Sequence, residues 1–165
     1  MFLNKRKVIL VISISALVFF FTYKDVKPQN LKVIDGDTIH LNNEKIRFIG
    51  IDTPELKQIC IKDAIKKPCG ITAKKILINK IGNNNVECIR EGKDQYKRSL
   101  AECFVNKESL SRHLVRSGYA FAYRKYSTKF VEDEDFAKAN KLGMWSMKFE
   151  YPWDYRKNKQ KLWKS

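Results

Sequence analysis

Short alternations of apolar and polar residues mark the first half of the chain, and helical spacings mark the second. Leu31–Ile34 and Thr38–Leu41 read as strands around Asp35-Gly36-Asp37, and an Asp-Gly pair between apolar runs signals a hairpin. Asn42-Asn43-Glu44 turns the chain again, and Lys45–Ile51 alternates into a third strand that Pro54 ends. Three strands joined by tight turns make a meander. Leu56–Lys67 reads as a polar, lysine-rich connection. Gly70–Ile81 places Ala73, Ile76, Leu77 and Ile81 at helical spacing, and Gly82–Asn85 stops it.

Val86–Arg90 and Ser99–Val105 read as two more strands, with Glu91-Gly92-Lys93-Asp94 in the loop between them. Glu108–Arg116 reads as a helix ending at Gly118, Tyr119–Tyr126 as aromatic and partly extended, and Phe130–Lys141 as a helix capped by Gly143. That last helix is acidic at its start and basic at its end, as the helix dipole favours. Five short strands with a helix between the third and fourth follow the order of a five-stranded OB-fold β-barrel. The expected class is therefore α+β with about three helices, preceded by an N-terminal apolar helix.

That N-terminal helix rests on Val8–Phe21, which is apolar except for Ser13 and Ser15 and follows the basic Lys5-Arg6-Lys7. Counting Thr22 and Tyr23, the run approaches the ~20 residues that span a bilayer. No small-residue cleavage site follows the Phe19-Phe20-Phe21 triplet, which favours an uncleaved anchor over a removable signal peptide. In either case the basic cluster stays in the cytoplasm and the body is exported. The expected organisation is a basic segment over 1–7, an anchor or signal over 8–23 and a linker over 24–30. A folded domain over 31–149 and a basic aromatic tail over 150–165 complete it.

Charge and cysteine usage sharpen this picture. The net charge of the 165 residues is +15, and removing the three positive charges of Lys5, Arg6 and Lys7 still leaves +12. A body of that charge attracts polyanions, nucleic acid above all, with anionic lipid or a merely solubilising surface as alternatives. Cys60, Cys69, Cys88 and Cys103 form no C-x-x-C pair and only two histidines exist, so a zinc site is poorly supported. Four cysteines in an exported body suggest disulfides. Of three connectivities, Cys60–Cys69 closing a loop and Cys88–Cys103 joining neighbouring strands are preferred.

The chemistry concentrates in two segments of the meander. Asp37 and Asp52 sit at strand ends where both carboxylates can face one pocket, and oxygen-only ligation selects calcium or magnesium over zinc. Glu55, just past the Pro54 turn, is placed to orient or deprotonate a water. Arg47 and Arg98 can grip a phosphate with forked hydrogen bonds. Blander readings stand beside these: Asp35 and Asp37 as turn residues, and Arg47–Glu55 as a surface ion pair. His40 has a weak claim on the site, and His113 reads as a surface or packing residue.

Val33-Ile34-Asp35-Gly36-Asp37-Thr38, then Arg47–Glu55, Asp94–Ala101 and Leu114–Ala120 follow one another in the order found in thermonucleases. The chain resembles that family (staphylococcal nuclease-like domains) from about Leu31 to Trp145. The resemblance implies an OB-fold nuclease that uses Ca2+ to cut DNA and RNA, leaving 3′-phosphates. It also implies roles: Asp37 and Asp52 as metal carboxylates, Thr53 as a backbone-carbonyl ligand, Glu55 as general base, and Arg47 and Arg98 as phosphate-binding arginines. Asp35 would stand behind the metal ligands, and Tyr96 and Tyr123 would line the nucleotide pocket. Lys97 stands where the family usually has glycine, which bears on how Arg98 is aimed.

The Cys60–Cys69 loop and the Phe149–Trp153 stretch resemble a bacterial exported branch, so the domain is expected in the cell envelope outside the cytoplasm, as a monomer. A non-catalytic OB-fold module that binds nucleic acid on a membrane anchor is the alternative. The basic aromatic tail also permits a lipid- or polysaccharide-binding domain, but its simpler role is packing of Trp145 and Trp153 on the barrel.

Overall fold

The structure, a computed structural model, describes residues 29–162. The basic segment, the apolar run and nearly all of the linker expected before residue 31 lie outside the described residues, as does Trp163. Among the described residues no helix is long and apolar enough to cross a membrane.

The meander forms as the alternation requires. Strand β1 (Leu31–Val33) pairs antiparallel with β2 (Thr38–Leu41), which pairs antiparallel with β3 (Glu44–Phe48). The β2–β3 turn is Asn42-Asn43, both at positive φ (49° and 69°), the conformation a two-residue hairpin with right-handed strand twist demands. The third strand expected over 45–51 is cut in two. Gly50 (φ 74°) swings the chain out of the sheet, and Ile51–Asp52 forms a separate strand, β4.

The Leu56–Lys67 connection, expected to lack regular structure, contains a hairpin of β5 (Cys60–Lys62) and β6 (Ile65–Lys67). Its turn is Asp63-Ala64, both at positive φ, and the Cys60–Cys69 disulfide ties its base to the next helix. Helix α1 (Cys69–Ile81) follows and buries Ala73, Leu77 and Ile81. Strand β7 (Glu87–Lys93) then pairs antiparallel with β8 (Ser99–Val105), with a register shift between Arg90 and Gly92. The Cys88–Cys103 disulfide joins residues directly opposite each other in this ladder.

Strand β8 lies parallel to β3, setting Leu100 opposite Arg47, and a short β9 (Glu108–Ser109) pairs with the end of β8. The sheet path is therefore β1-β2-β3-β8-β7, and it stays open. The closed five-stranded barrel expected from element order is absent among the described residues, because no ladder joins β1 to β7. A side chain does that work instead: Gln29, just before β1, donates to the Val86 carbonyl at 2.9 Å and accepts from its amide at 2.7 Å.

Helices α2 (Leu110–Arg116) and α3 (Val131–Ala139) complete the domain, with β10 (Phe121–Ala122) between them pairing with β4 and a 3-10 turn over Gly143–Ser146. The stretch set apart as a basic aromatic tail contains one further helix, α4 (Pro152–Leu162), so the expected three helices fall one short. The class is α+β. Ile39, Ile46, Phe48, Leu77, Leu110 and Leu114 centre the main core. A second cluster gathers Phe121 and Met144 under Trp145, Phe149, Tyr151 and Trp153. The tryptophans thus pack on the domain, and their rings meet Phe121 at 5.3 and 6.1 Å.

Glu44 joins three strands. Its carboxylate accepts from Arg90 Nε at 3.0 Å and from Ser99 Oγ at 2.6 Å. The Arg90 and Ser99 hydrogen bonds hold its pKa down at about 2. A depressed carboxylate stabilises the fold above its unfolded value and loses that contribution as pH falls through the folded one. Glu44→Gln should therefore lower the urea midpoint at pH 7, with the gap to wild type closing between pH 4.5 and about 2.

Candidate active site

The turn between β1 and β2 aims Asp37 inward. Asp37 N donates to Asp35 Oδ1 at 3.1 Å, and Ile34 N donates to the Thr38 carbonyl at 2.9 Å. Gly36 is required there by proximity, since a Cβ would lie 2.8 Å from Thr53 Oγ1. Asp37 is buried, and its Oδ2 accepts from both the Thr53 amide and hydroxyl at 3.0 Å. Asp52 arrives from the other side on β4, held by the Phe121↔Asp52 pairing with β10. Strand β10 is itself held by the buried Glu134, which accepts from Ala122 N at 3.1 Å.

Arg47 stands between the two aspartates. Its Nη1 donates to Asp37 Oδ1, and its Nη2 donates to Asp52 Oδ1 at 2.8 Å. Burial of Asp37 pushes its pKa up, with Arg47 opposing and Asp35 adding to the rise. Burial works against the charge of Arg47, but Asp37 and Asp52 outweigh it and raise its pKa. The surface ion pair between Arg47 and Glu55 considered from sequence is replaced by a buried bridge to the aspartates.

Glu55 lies on the rim of a cleft of about 560 Å³ lined by Asp35, Leu56, Lys57, Tyr155 and Arg156 among others. Its backbone passes so close to α1 that a Cβ on Gly70 would fall 1.9 Å from the Glu55 carbonyl, so only glycine admits this approach. The buried Gln58 accepts from the Glu55 amide at 3.2 Å. The Glu55 carboxylate accepts from Arg156 Nη1 at 2.9 Å.

Arg156, from α4, is the site residue that sequence reasoning missed. It donates from Nη2 to Asp52 Oδ2 at 2.7 Å and from Nη1 to Asp52 Oδ1 at 3.2 Å. Burial opposes its charge, yet the hydrogen bonds to Asp52 and Glu55 prevail and raise its pKa. No motif signals it: it is one basic residue in a run with Lys157, Lys159 and Lys161.

The structure thus brings Asp35, Asp37, Arg47, Asp52, Thr53 and Glu55 together. Arg98 stands apart, in the turn just before the neighbouring strand β8. It is bound through Nε to Asp94 Oδ2 at 2.7 Å and its guanidinium lies 5.5 Å from the Tyr96 ring. Tyr96 is 71% exposed. Tyr123 stacks on Trp153 at 5.7 Å between ring centroids and meets Tyr126 edge-on. His40 is exposed on β2, and His113 lies at a second cleft with Arg112 and Arg116.

Lys97 sits at φ 61°, in the left-handed region that favours the glycine usual at this position. Lys97→Gly should stabilise the protein by about 0.5–1 kcal/mol, because relief of left-handed strain exceeds the added chain entropy of glycine. Urea denaturation of the two forms measures this.

Among the described residues no three His, Cys, Asp or Glu side chains are arranged as a ready metal cage. The donor set nonetheless fits a hard dication: Asp35, Asp37, Asp52 and Glu55 supply four carboxylates, with Arg47 and Arg156 paired to them and Lys57 and Lys159 in the cleft lining. Asp37 is also a carboxylate whose burial is incompletely offset by its neighbours. Oxygen donors with excess negative charge select such a cation.

Comparison with known proteins is consistent with this arrangement. Residues 45–147 match the family model described as staphylococcal nuclease homologue. An "Uncharacterized endonuclease" of Haemophilus influenzae is 31% identical over 123 residues, 70% of this chain and 64% of that protein. The SPbeta prophage-derived endonuclease of Bacillus subtilis is 32% identical over 136 residues, 70% of this chain and 42% of that protein. The chain thus spans less than two thirds of these relatives' length, but a thermonuclease of Staphylococcus intermedius is matched over 95% of its own length at 28% identity. The family match spans β3 to the 3-10 turn, and with it the segments that carry Arg47, Asp52 and Arg98, so this chain belongs to the staphylococcal nuclease homologue family.

Proposed function

We propose that the chain is a calcium-dependent nuclease that hydrolyses the phosphodiester bonds of DNA and RNA with little sugar specificity. The observation that carries this reading is the pair of buried carboxylates, Asp37 and Asp52, joined through Arg47 and linked through Arg156 to Glu55 at the rim of a cleft. Family membership, nuclease-named relatives and a net charge of +15 support it.

Asp37, Asp52 and the Thr53 carbonyl would hold Ca2+. When bound, the cation neutralises phosphate oxygens and so favours attack on the diester. Glu55 takes a proton from a water, whose oxygen attacks phosphorus as the P–O5′ bond breaks, and the leaving O5′ takes up a proton from solvent, giving a 3′-phosphate and a 5′-hydroxyl. Arg47 and Arg98 hold the phosphate with hydrogen bonds that strengthen as charge develops. Asp35 orders the Asp37 turn, and Tyr96, whose ring is exposed, and Tyr123, stacked on Trp153, would line the nucleotide pocket.

The full chain should degrade single-stranded DNA and RNA in calcium and stop on EDTA. Nucleic-acid binding that ignores calcium, with no cleavage, would favour a non-catalytic OB-fold module. The two disulfides support export to an oxidising compartment, with the body tethered by residues 8–23 outside the cytoplasm, and a monomer is expected. N-terminal sequencing of protein recovered from cells reads whether that segment is retained.

A further inference from the structure

Arg156 does more than an exposed ion pair would. A lone Glu55–Arg156 pair at the cleft rim would contribute little. The other end of this contact is different: the Asp52 side chain is 1% exposed, and both its oxygens accept from Arg156. The guanidinium therefore spans a buried cation ligand and the residue assigned as base.

Its helix is fixed for the purpose. Trp153 lies flat between Tyr151 and Tyr123, with ring centroids 4.6 and 5.7 Å away. Asn158 bonds the Glu150 side chain. Gln58, which holds the Glu55 amide, also donates to the Glu150 carbonyl at 2.6 Å. One buried side chain thus couples the Glu55 loop to the base of α4.

The charge balance agrees. Arg156 offsets one of the four carboxylates, alongside Arg47 at the aspartates and Lys57 and Lys159 in the cleft lining. Without Arg156 the site would keep one more negative charge facing an anionic phosphodiester.

We propose that Arg156 is a third arginine of the catalytic site, a positioning residue that bridges Asp52 and Glu55 and holds Glu55 beside the cation ligands. This rests on the nuclease reading above. In the full chain, Arg156→Gln removes a positive competitor from Asp52, so calcium affinity measured by calorimetry should tighten about tenfold, the order set by losing one charge-assisted contact. The same variant should cleave DNA with kcat lowered about 10- to 100-fold and KM changed less, as Glu55 loses its anchor. Tighter cation binding with slower turnover is a combination that a merely structural role would not produce.

Arg156→Lys, which keeps the charge but cannot fork, should recover part of kcat and give an intermediate calcium affinity. It also carries the comparison should Arg156→Gln fail to fold. Adding Arg156→Gln to Glu55→Gln should slow the enzyme by no more than about twofold further, because residues acting as one unit are not additive. Unchanged calcium affinity overturns the bridge, and losses that multiply in the double variant overturn the positioning role. If the wild type binds calcium but cleaves nothing, the nuclease reading fails and calorimetry still judges the bridge. A wild type that binds no calcium overturns both.

Discussion

Glu55→Gln should lower kcat on DNA by about 10²–10⁴-fold, the range contributed by a positioned general base. Glutamine keeps an oxygen that can accept from Arg156 Nη1, so the cleft wall is retained. The Glu55 side chain is 42% exposed, and pairs of that exposure add little to stability, so the thermal midpoint should stay close to wild type. Calcium affinity should change less than activity, because Asp37 and Asp52 remain. Steady-state kinetics with a melting curve separates these quantities, and full activity in the variant would remove Glu55 from the role of base.

Arg47→Met should cost about 3–5 kcal/mol in the absence of divalent cation, the range for deleting one partner of a buried ion pair. Two buried carboxylates, Asp37 and Asp52, lose a shared partner at once. Asp52 keeps Arg156, but Asp37 keeps only the Thr38 and Thr53 groups, which are neutral. Methionine fills similar volume, so the loss reports charge more than packing. Saturating calcium should restore part of it, since a ligand held only by the folded state stabilises by about 2.7 kcal/mol at 100 times its Kd. Urea titrations in EDTA and in calcium measure both effects, and activity should stay low in either, because the phosphate contact is gone.

These two effects differ in kind for one structural reason. Glu55 lies at the rim of the cleft, where water already solvates it, and its loss is felt in chemistry. Arg47 lies under the cleft, where the low-dielectric surroundings make an unpaired carboxylate costly, and its loss is felt in folding first.

Much of this was legible in the residues themselves. The Asp-Gly and Asn-Asn turns, the alternation of β1 to β3 and the helical spacing of Ala73, Leu77 and Ile81 are local signals, and local signals survive into the fold. Both disulfide pairings were legible too, because Cys60–Cys69 closes a short loop and Cys88–Cys103 joins neighbouring strands. The β5–β6 hairpin escaped notice because Asp63-Ala64 is a poor turn signal that the Cys60–Cys69 bridge enforces. The break between β3 and β4 escaped because apolar alternation continues through Gly50, and only the competing partner β10 draws Ile51 and Asp52 away.

Sequence by itself determined the inventory of chemistry: the carboxylates at 35, 37, 52 and 55, the arginines at 47 and 98, and the spacing that places them on turns and strand ends. Tertiary structure alone decided how they pair. Arg47 bridges Asp37 and Asp52 because β2 and β3 set Thr38 opposite Arg47 while β10 holds Asp52 beside them. Arg156 reaches Asp52 across 104 positions of chain because the Phe121 cluster and Gln58 dock α4 at the cleft. Such contacts follow from which faces are buried together, and neither periodicity nor motif spacing encodes a partner that far along the chain.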